Sequence, residues 1–546
     1  MTLPTDDQIL ETLSRLDATS ADGLESEVLD FKLWESPKAS LKVAIEYAVC
    51  FANAMGGVLV FGVDDKVVGR SAAIQGIGRV DRDQWKQSIF NDTRPHIPVE
   101  VSELFVPEGT GKILVIRVAK GDDPPYGTSG GLFKVRVAKS CMPLDPGEFA
   151  KMRVRSGVVD WSAQPARGVS FAELDPVEIA RGRNFLRRNS PDSPLLNKRV
   201  SDQKFVESLG VVSAGSVTNA GLLLFGRQDV LQERIPQHQV HYVHSPKPSQ
   251  AASNVSWTDG LLAIIERLEG IFQGPTNPEY ETSLGFTKIR IPAFPVDVVR
   301  EAVLNAVTHR DYLSPGEVLI RHSPQLLAVT SPGGFIGGIT PDNILRQEPF
   351  ARNRRLAEAF EKLRLVERAG MGRDRIFVPM LRFGKRVPEY EANGERVTLR
   401  LFDGSVDERM AKLVAKWSRE DRDLWLDSLL ILNYMKSHQY ITVAEATGLL
   451  QFPQKQAFDT LELHAMPPLS VLERVGRSKP MKYQLTRGIA RDLVGRAVYT
   501  QARSIDSDRE KEAIRNYVQD HNFITNSELR ALLGLGDSPS AKVESS

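Results

Sequence analysis

Apolar positions recur at helical spacing over residues 41–54, where Val43, Ala44, Tyr47, Ala48 and Phe51 form a stripe that stops at Met55-Gly56-Gly57. The next segment, Val58 to Asp65, is an apolar run that ends in two carboxylates and predicts a buried strand. Upstream, Leu24 to Lys32 begins polar and then alternates. This predicts a strand with Leu29, Phe31 and Leu33 on one face and Asp30 and Lys32 on the other. Residues 300–312 read as one amphipathic helix. Glu301, Asn305 and His309 fall at i, i+4 and i+8 on a polar face, and Val298, Ala302, Val303, Ala306 and Val307 supply the apolar side. A strand-like run, Leu326 to Thr330, leads into the glycine-rich stretch Ser331 to Gly338.

The middle of the chain is plainer. Ala172 to Glu178 starts a predicted helix that carries Arg181, Arg183, Arg187 and Arg188, read as a solvated face in preference to a nucleic-acid site. Val217 to Gly226 predicts a buried strand, and Pro246 to Ser256 a loop. From Leu424 the order is helix, short helix (Thr442 to Leu449), helix (Gln454 to His464) and two strand-like runs around Arg474-Val475-Gly476-Arg477-Ser478-Lys479. That is the order of a winged helix, with a basic wing suited to phosphate. Such modules also serve protein interaction. Lys511 to Leu533 begins a second helix-turn-helix that the chain does not complete.

Composition narrows the class. With 546 residues, 41% of them hydrophobic and 25% charged, the chain is globular and long enough for roughly three or four domains. A net charge of +1 excludes a histone-like protein but not a local basic patch. No apolar run is long enough for a bilayer, and the acidic, polar start, Met1 to Asp7, is no secretory signal. The two cysteines form no CxxC. Cys50 reads as a buried free thiol, with no disulfide or zinc framework, and a cytoplasmic setting is expected.

Two constellations suggest chemistry. On the 300–312 helix, Glu301 can orient a water and the Asn305 amide oxygen can ligate a magnesium held by phosphates. Downstream come Gly333-Gly334, Arg352-Asn353-Arg354 and Gly370-Met371-Gly372, and glycine loops let backbone N–H groups approach a ligand closely. In the N-terminal region, Asp30, Lys32 and a carboxylate from the next strand make a candidate Mg2+ or Mn2+ site, with the D/E-x-K spacing of many metal-dependent nucleases. Gly109-Thr110-Gly111-Lys112-Ile113 lacks the spacing and the Ser/Thr of a P-loop, so a conventional helicase motor is not expected.

On these motifs, residues from about 290 to 402 resemble the divergent GHKL-type ATPases of prokaryotic proteins described as RecG-like helicases or transcriptional regulators. The resemblance implies an α/β sandwich with a Bergerat-type ATP site. Glu301 would be the general base, Asn305 the magnesium ligand, Gly333 and Gly334 the first glycine box, and Gly370 and Gly372 the second. The aspartate that usually precedes the first box is replaced by Ser331-Pro332. Glu25-x-Glu27-x-x-Asp30-Phe31-Lys32, followed by Phe51 to Gly57 and Gly62-Val63-Asp64-Asp65 and closed by Phe133 to Val137, resembles the Alba-like domain of the Schlafen family. That domain binds nucleic acid and in some members cleaves RNA with three carboxylates. Glu25 and Asp30 fit the first two acids and Asp64 or Asp65 the third, so Glu25, Asp30, Asp64 and Lys32 are candidate catalytic residues. Glu25 can join Asp30 only from the turn before the strand.

The fold expected is multidomain α+β. Residues 1–155 would be Alba-like, 156–289 connecting, 290–405 GHKL-like, 420–487 a winged helix and 505–546 a partial helix-turn-helix. The function expected is an ATP-binding, nucleic-acid-handling protein, possible as a homo-oligomer and with no membrane role, whose nuclease site is gated by nucleotide, a device suited to phage defence. The alternatives are a DNA-binding transcriptional regulator that senses ATP and a structural ATP-binding subunit.

Overall fold

In the computed structural model the described residues are 3–494, apart from 214, 247–252, 285–286, 349, 367–371, 404–406, 420–424 and 476–479, with a few more between 514 and 525. The chain divides into two compact units, Met1–Trp161 with Ile336–Gly338 and the remainder.

The first unit is built on a four-stranded sheet. Leu29–Lys32 runs parallel to Gly57–Phe61, which is antiparallel to Lys112–Val118, which pairs in turn with Val99–Phe105. Both faces of the sheet are covered. Leu59, Phe61, Leu114 and Ile116 pack with helices Pro37–Ala52 and Arg82–Asn91, while Phe31, Val58, Val60, Ile113 and Val115 pack with helix Asp6–Ser14. A strand buried on both faces has no polar side to show, which is why 58–61 reads as an unbroken apolar run. Helix Pro37–Ala52 begins where the Ser36 hydroxyl accepts from the Ala39 N–H. After it the chain turns at Gly56, whose positive φ of 80° and close approach to Val118 O and Lys120 N leave no room for a Cβ. Phe133 to Val137, expected to close the domain as a strand, does so outside that sheet. Lys134–Val137 pairs with Ser140–Pro143 in a separate hairpin.

That hairpin overturns the cysteine expectation. Cys141 is disulfide-bonded to Cys50 on helix Pro37–Ala52, 91 residues away, so Cys50 is no free thiol. Spacing did not reveal the pair, because the link joins two elements that only the tertiary fold makes neighbours.

The second unit holds a six-stranded sheet in the order Ser253–Trp257, Val240–His244, Val318–His322, Leu326–Pro332, Arg396–Phe402, Glu389–Ala392. Only the pair Val240–His244 and Val318–His322 is parallel. Its first two strands come from the stretch expected to be a mere connection, and Ser253–Trp257 forms where a loop was expected. Helix Val296–His309 packs against Leu326–Pro332 and against helices Leu261–Gln273 and Gly372–Arg382. Val217 to Gly226 is not a strand. The Thr218 hydroxyl caps the N-terminus of helix Asn219–Phe225 by accepting from Gly221 N–H. The arginines of helix Pro176–Asn189 are held largely in local ion pairs, Arg181 with Glu178 and Glu266, Arg183 with Asp202 and Arg188 with Glu269. Toward the C-terminus, helices Leu426–Met435, Val443–Leu450 and Gln454–Ala465 accompany a three-stranded sheet of Ile441–Thr442, Lys482–Leu485 and Leu472–Val475. The expected partial helix-turn-helix at 505–546 lies almost wholly outside the described residues. Among the described residues no helix is long and apolar enough to cross a membrane.

Candidate functional sites

The N-terminal cluster forms at the end of strand Leu29–Lys32. Asp30 and Lys32 share a face, as the alternation requires, and Lys32 Nζ lies 2.5 Å from Asp30 Oδ1. Glu25 follows the turn Ala21–Leu24, ahead of the strand. From there its Oε1 accepts from Phe31 N–H at 3.2 Å and lies 3.4 Å from Lys32 Nζ. Of the two acids considered for the third place, Asp65 Oδ2 lies 3.4 Å from Lys32 Nζ, whereas Asp64 accepts from Lys66 N–H. The residue that sequence reading missed is Arg136. Its Nη1 lies 2.6 Å from Asp30 Oδ2, and its Nη2 donates to Ser26 O. Nothing local marked this arginine, because its partner is 106 positions away and the hairpin that carries it stands apart from the sheet.

The electrostatics follow from burial. Desolvation, reinforced by the Asp30 charge, pushes the Glu25 carboxyl up to about 7. Burial works to lower the pKa of Lys32, but the Asp30 charge and hydrogen bond win and raise it, so Lys32 stays charged. Burial and Asp30 also raise the Tyr47 phenol, whose ring lies 5.4 Å from Lys32 Nζ. Asp30 and Arg136 have side chains only 1% exposed. Each Asp30 oxygen is therefore taken by a cation, and the expected metal ligand set of Glu25, Asp30 and Asp64 does not fit a divalent ion. Among the described residues no group of three or more His, Cys, Asp or Glu is placed to hold a metal.

The second site lies on helix Val296–His309. Glu301 is buried, and Asn305 Nδ2 donates to its Oε1 at 3.3 Å. Arg375 Nη1 stands 3.9 Å from Glu301 Oε2. Gly372, the first residue of the next helix, lies so close that a Cβ there would sit 2.6 Å from Glu301 Oε1 and 3.8 Å from Asn305 Nδ2. Gly370 falls outside the described residues. Gly333 takes a φ of 96° and donates to Glu395 O, with its Cα against Asp311, and Gly334 packs against Asn393 O. Arg352 and Asn353 fasten helix to loop. Arg352 donates to His309 O and Gly334 O, and Asn353 Nδ2 donates to Thr308 O and Arg310 O. Burial, with Arg352 nearby, pushes the His309 imidazole down to about 4 and keeps it neutral. Asn305 donates through Nδ2, which leaves its Oδ1 as an acceptor of the kind a magnesium ion takes, while the faces of Gly333 and Gly372 are filled by Asp311 and Glu301. The Asn305 amide thus fits the expected group in its donor chemistry.

In the C-terminal three-helix region, Arg474 is bound by Glu462 of helix Gln454–Ala465. Arg477 and Lys479, the other wing cations, lie outside the described residues.

Comparison with known proteins bears on the domains that carry these residues. The family described as Schlafen, AlbA_2 matches residues 25–145. The family described as putative ATP-dependent DNA helicase recG C-terminal matches 316–401, a span that takes in Gly333, Gly334 and Gly372 but begins after Glu301 and Asn305. Residues 151–241 match a domain of unknown function, DUF8451. Among solved structures, the DIP2311 protein from Corynebacterium diphtheriae is similar at 24% identity and a TM-score of 0.51, over 89% of this chain and 98% of that one, which speaks to the fold alone. No curated protein matches. The two named domains are of nucleic-acid-related and ATP-binding kinds.

Proposed function

We propose that this chain, which joins a Schlafen AlbA_2 domain to an ATPase domain of recG C-terminal type, binds ATP as a switch and handles nucleic acid through its N-terminal domain. The contact of Gly372 with the Glu301–Asn305 pair carries the reading, since a buried carboxylate, an amide one helical turn on and a side-chain-free backbone meet at one place. In this reading Asn305 Oδ1 would hold Mg2+, which neutralises phosphate charge when bound. Glu301, held by Asn305 and by the Arg375 charge, would orient a water. Gly333, whose own N–H is held by Glu395 O, would shape the turn, and Gly334 and Gly372 would let backbone N–H groups face the phosphates. Titration calorimetry tests it. Asn305→Ala should weaken Mg-ATP binding at least about tenfold, while Glu301→Ala should keep binding and lose hydrolysis. No ATP uptake by the wild type, or unchanged affinity in Asn305→Ala, removes the assignment.

Any cleavage of RNA or DNA would fall to Glu25, Asp30, Lys32 and Asp65. With Asp30 closed by Lys32 and Arg136, the domain in this state is a binder of nucleic acid. A second reading, a DNA-binding regulator that senses ATP, is favoured by the winged-helix order of the C-terminal elements. It predicts a sequence-specific footprint without cleavage. Because Arg474 is committed to Glu462, Arg474→Gln should leave the slope of log affinity against log salt unchanged.

A further inference from the structure

The misfit between the N-terminal carboxylates and a cation has a specific cause in the hairpin of Lys134–Val137 and Ser140–Pro143. Arg136 and Cys141 stand opposite each other in its register. Cys141 is the residue bonded to Cys50. The rung that carries Arg136 is thus the rung fastened covalently to helix Pro37–Ala52. The guanidinium lies over the ring of Phe51, the neighbour of Cys50, at 5.3 Å, and its Nη1 lies 4.0 Å from Cys141 Sγ and 2.6 Å from Asp30 Oδ2. On the same rung Arg136 Nη2 donates to Ser26 O and Leu29 O, and the remaining tethers sit elsewhere on the hairpin. Lys134, at its base, contacts Asn53 and Glu46, and Lys139, at its turn, makes an exposed ion pair with Asp22, a kind of contact worth little. Arg136 is also costly to keep where it is: its Nε is buried without a hydrogen-bond partner, and desolvation offsets much of a buried ion pair's attraction. A guanidinium so placed needs a fastening.

We propose that the Cys50–Cys141 disulfide is a reducible latch that holds Arg136 on Asp30 and keeps the carboxylates of Glu25, Asp30 and Asp65 closed to a divalent cation. The proposal rests on the reading of this cluster as the working site of the domain. The reductant is a dithiol. Its thiolate attacks the sulfur of half-buried Cys141, forming a mixed disulfide, and Cys50 leaves as a thiolate and takes a proton. The reductant's second thiol then closes its own disulfide and releases Cys141. The two cysteines gain two electrons and two protons, and the dithiol is oxidised. With the rung released, Arg136 can leave Asp30, and the carboxylates are opposed only by Lys32.

The test uses the full chain in three forms: oxidised, reduced with dithiothreitol and desalted without air, and the Cys50→Ser/Cys141→Ser double variant. Hydrogen exchange and Mn2+ titration are read without nucleic acid or nucleotide. In the reduced and double-variant forms, amides of 134–143 should exchange at least about tenfold faster, with strand Gly57–Phe61 unchanged. A single Mn2+ should then bind in a manner that Asp30→Asn abolishes, while the oxidised chain takes up none there. The reduced wild type gives the answer even if the double variant folds poorly. Unchanged hairpin exchange overturns the latch alone and leaves the site reading standing. Hairpin release without Mn2+ uptake overturns the site reading and the proposal with it.

Discussion

Gly372 is the residue where one carbon atom decides most. A methyl group there would have to stand 2.6 Å from Glu301 Oε1, and Glu301 is buried and cannot simply swing into water. Gly372→Ala should therefore break the Asn305–Glu301 contact and cost about 1–3 kcal/mol of stability, the usual penalty of overpacking, together with a loss of ATP affinity seen in the same calorimetric titration. Glu25 is a second such residue. Its folded pKa, raised from 4.5 to about 7, means that the native chain holds a proton the unfolded chain has released between those values. The stability this proton brings is complete below pH 4.5 and is lost as pH rises through about 7. Glu25→Gln should remove that part of the pH dependence, so the urea midpoint of the variant should gain on the wild type between pH 5 and 8. An equal gap at both pH values would place Glu25 in water. Alternation alone showed that Asp30 and Lys32 share a face. It could not show that Arg136 completes the group, because period and spacing report neighbours along a strand and not those brought in by a hairpin far along the chain.

At the scale of elements, the side chain of Asn53 does the joining just past helix Pro37–Ala52. It donates to Tyr126 O and Lys134 O and accepts from Tyr126 N–H, the two bonds to Tyr126 buried and that to Lys134 part-buried. Asn53→Ala leaves these backbone groups unpaired and should cost about 2–4 kcal/mol at about one per hydrogen bond, measurable by urea denaturation. A loss under half a kilocalorie would mean that water replaces the amide. Legibility varied from element to element for physical reasons. Helix Val296–His309 was plain because its polar and apolar faces differ. Helix Asn219–Phe225 was misread as a strand because Ala220 to Phe225 is buried all round, and a run with no polar face has no period. The signal that could have settled it was Thr218, a hydroxyl residue placed to cap the first turn. In the second unit the six-stranded sheet recruits strands from 240–257, which the sequence alone does not link to those after 318, since pairing between distant strands leaves no local mark.

Across the whole molecule, a cross-link spanning 91 residues removes much freedom from the unfolded chain. Reducing it, or replacing both cysteines with serine, should lower stability by about 2–5 kcal/mol. The effect should be confined to the first unit, so thermal unfolding should show one transition moving and the other staying. If both transitions shift together, the units do not unfold independently. The two matched families follow one another in the order of their motifs, and the six-stranded sheet draws strands from 240–257, ahead of the motifs of the second. Another feature bears on how such a chain can vary. Arg352 and Asn353 fasten helix Val296–His309 to the glycine loop by donating to the main-chain oxygens of Thr308, His309, Arg310 and Gly334. Every amino acid brings the same carbonyl. So far as this fastening is concerned, positions 308–310 are free to drift, while 352 and 353 tolerate almost nothing. A deep mutational scan should find positions 352 and 353 intolerant, while the limits at 308–310 should follow the burial of their own side chains, Arg310 above all.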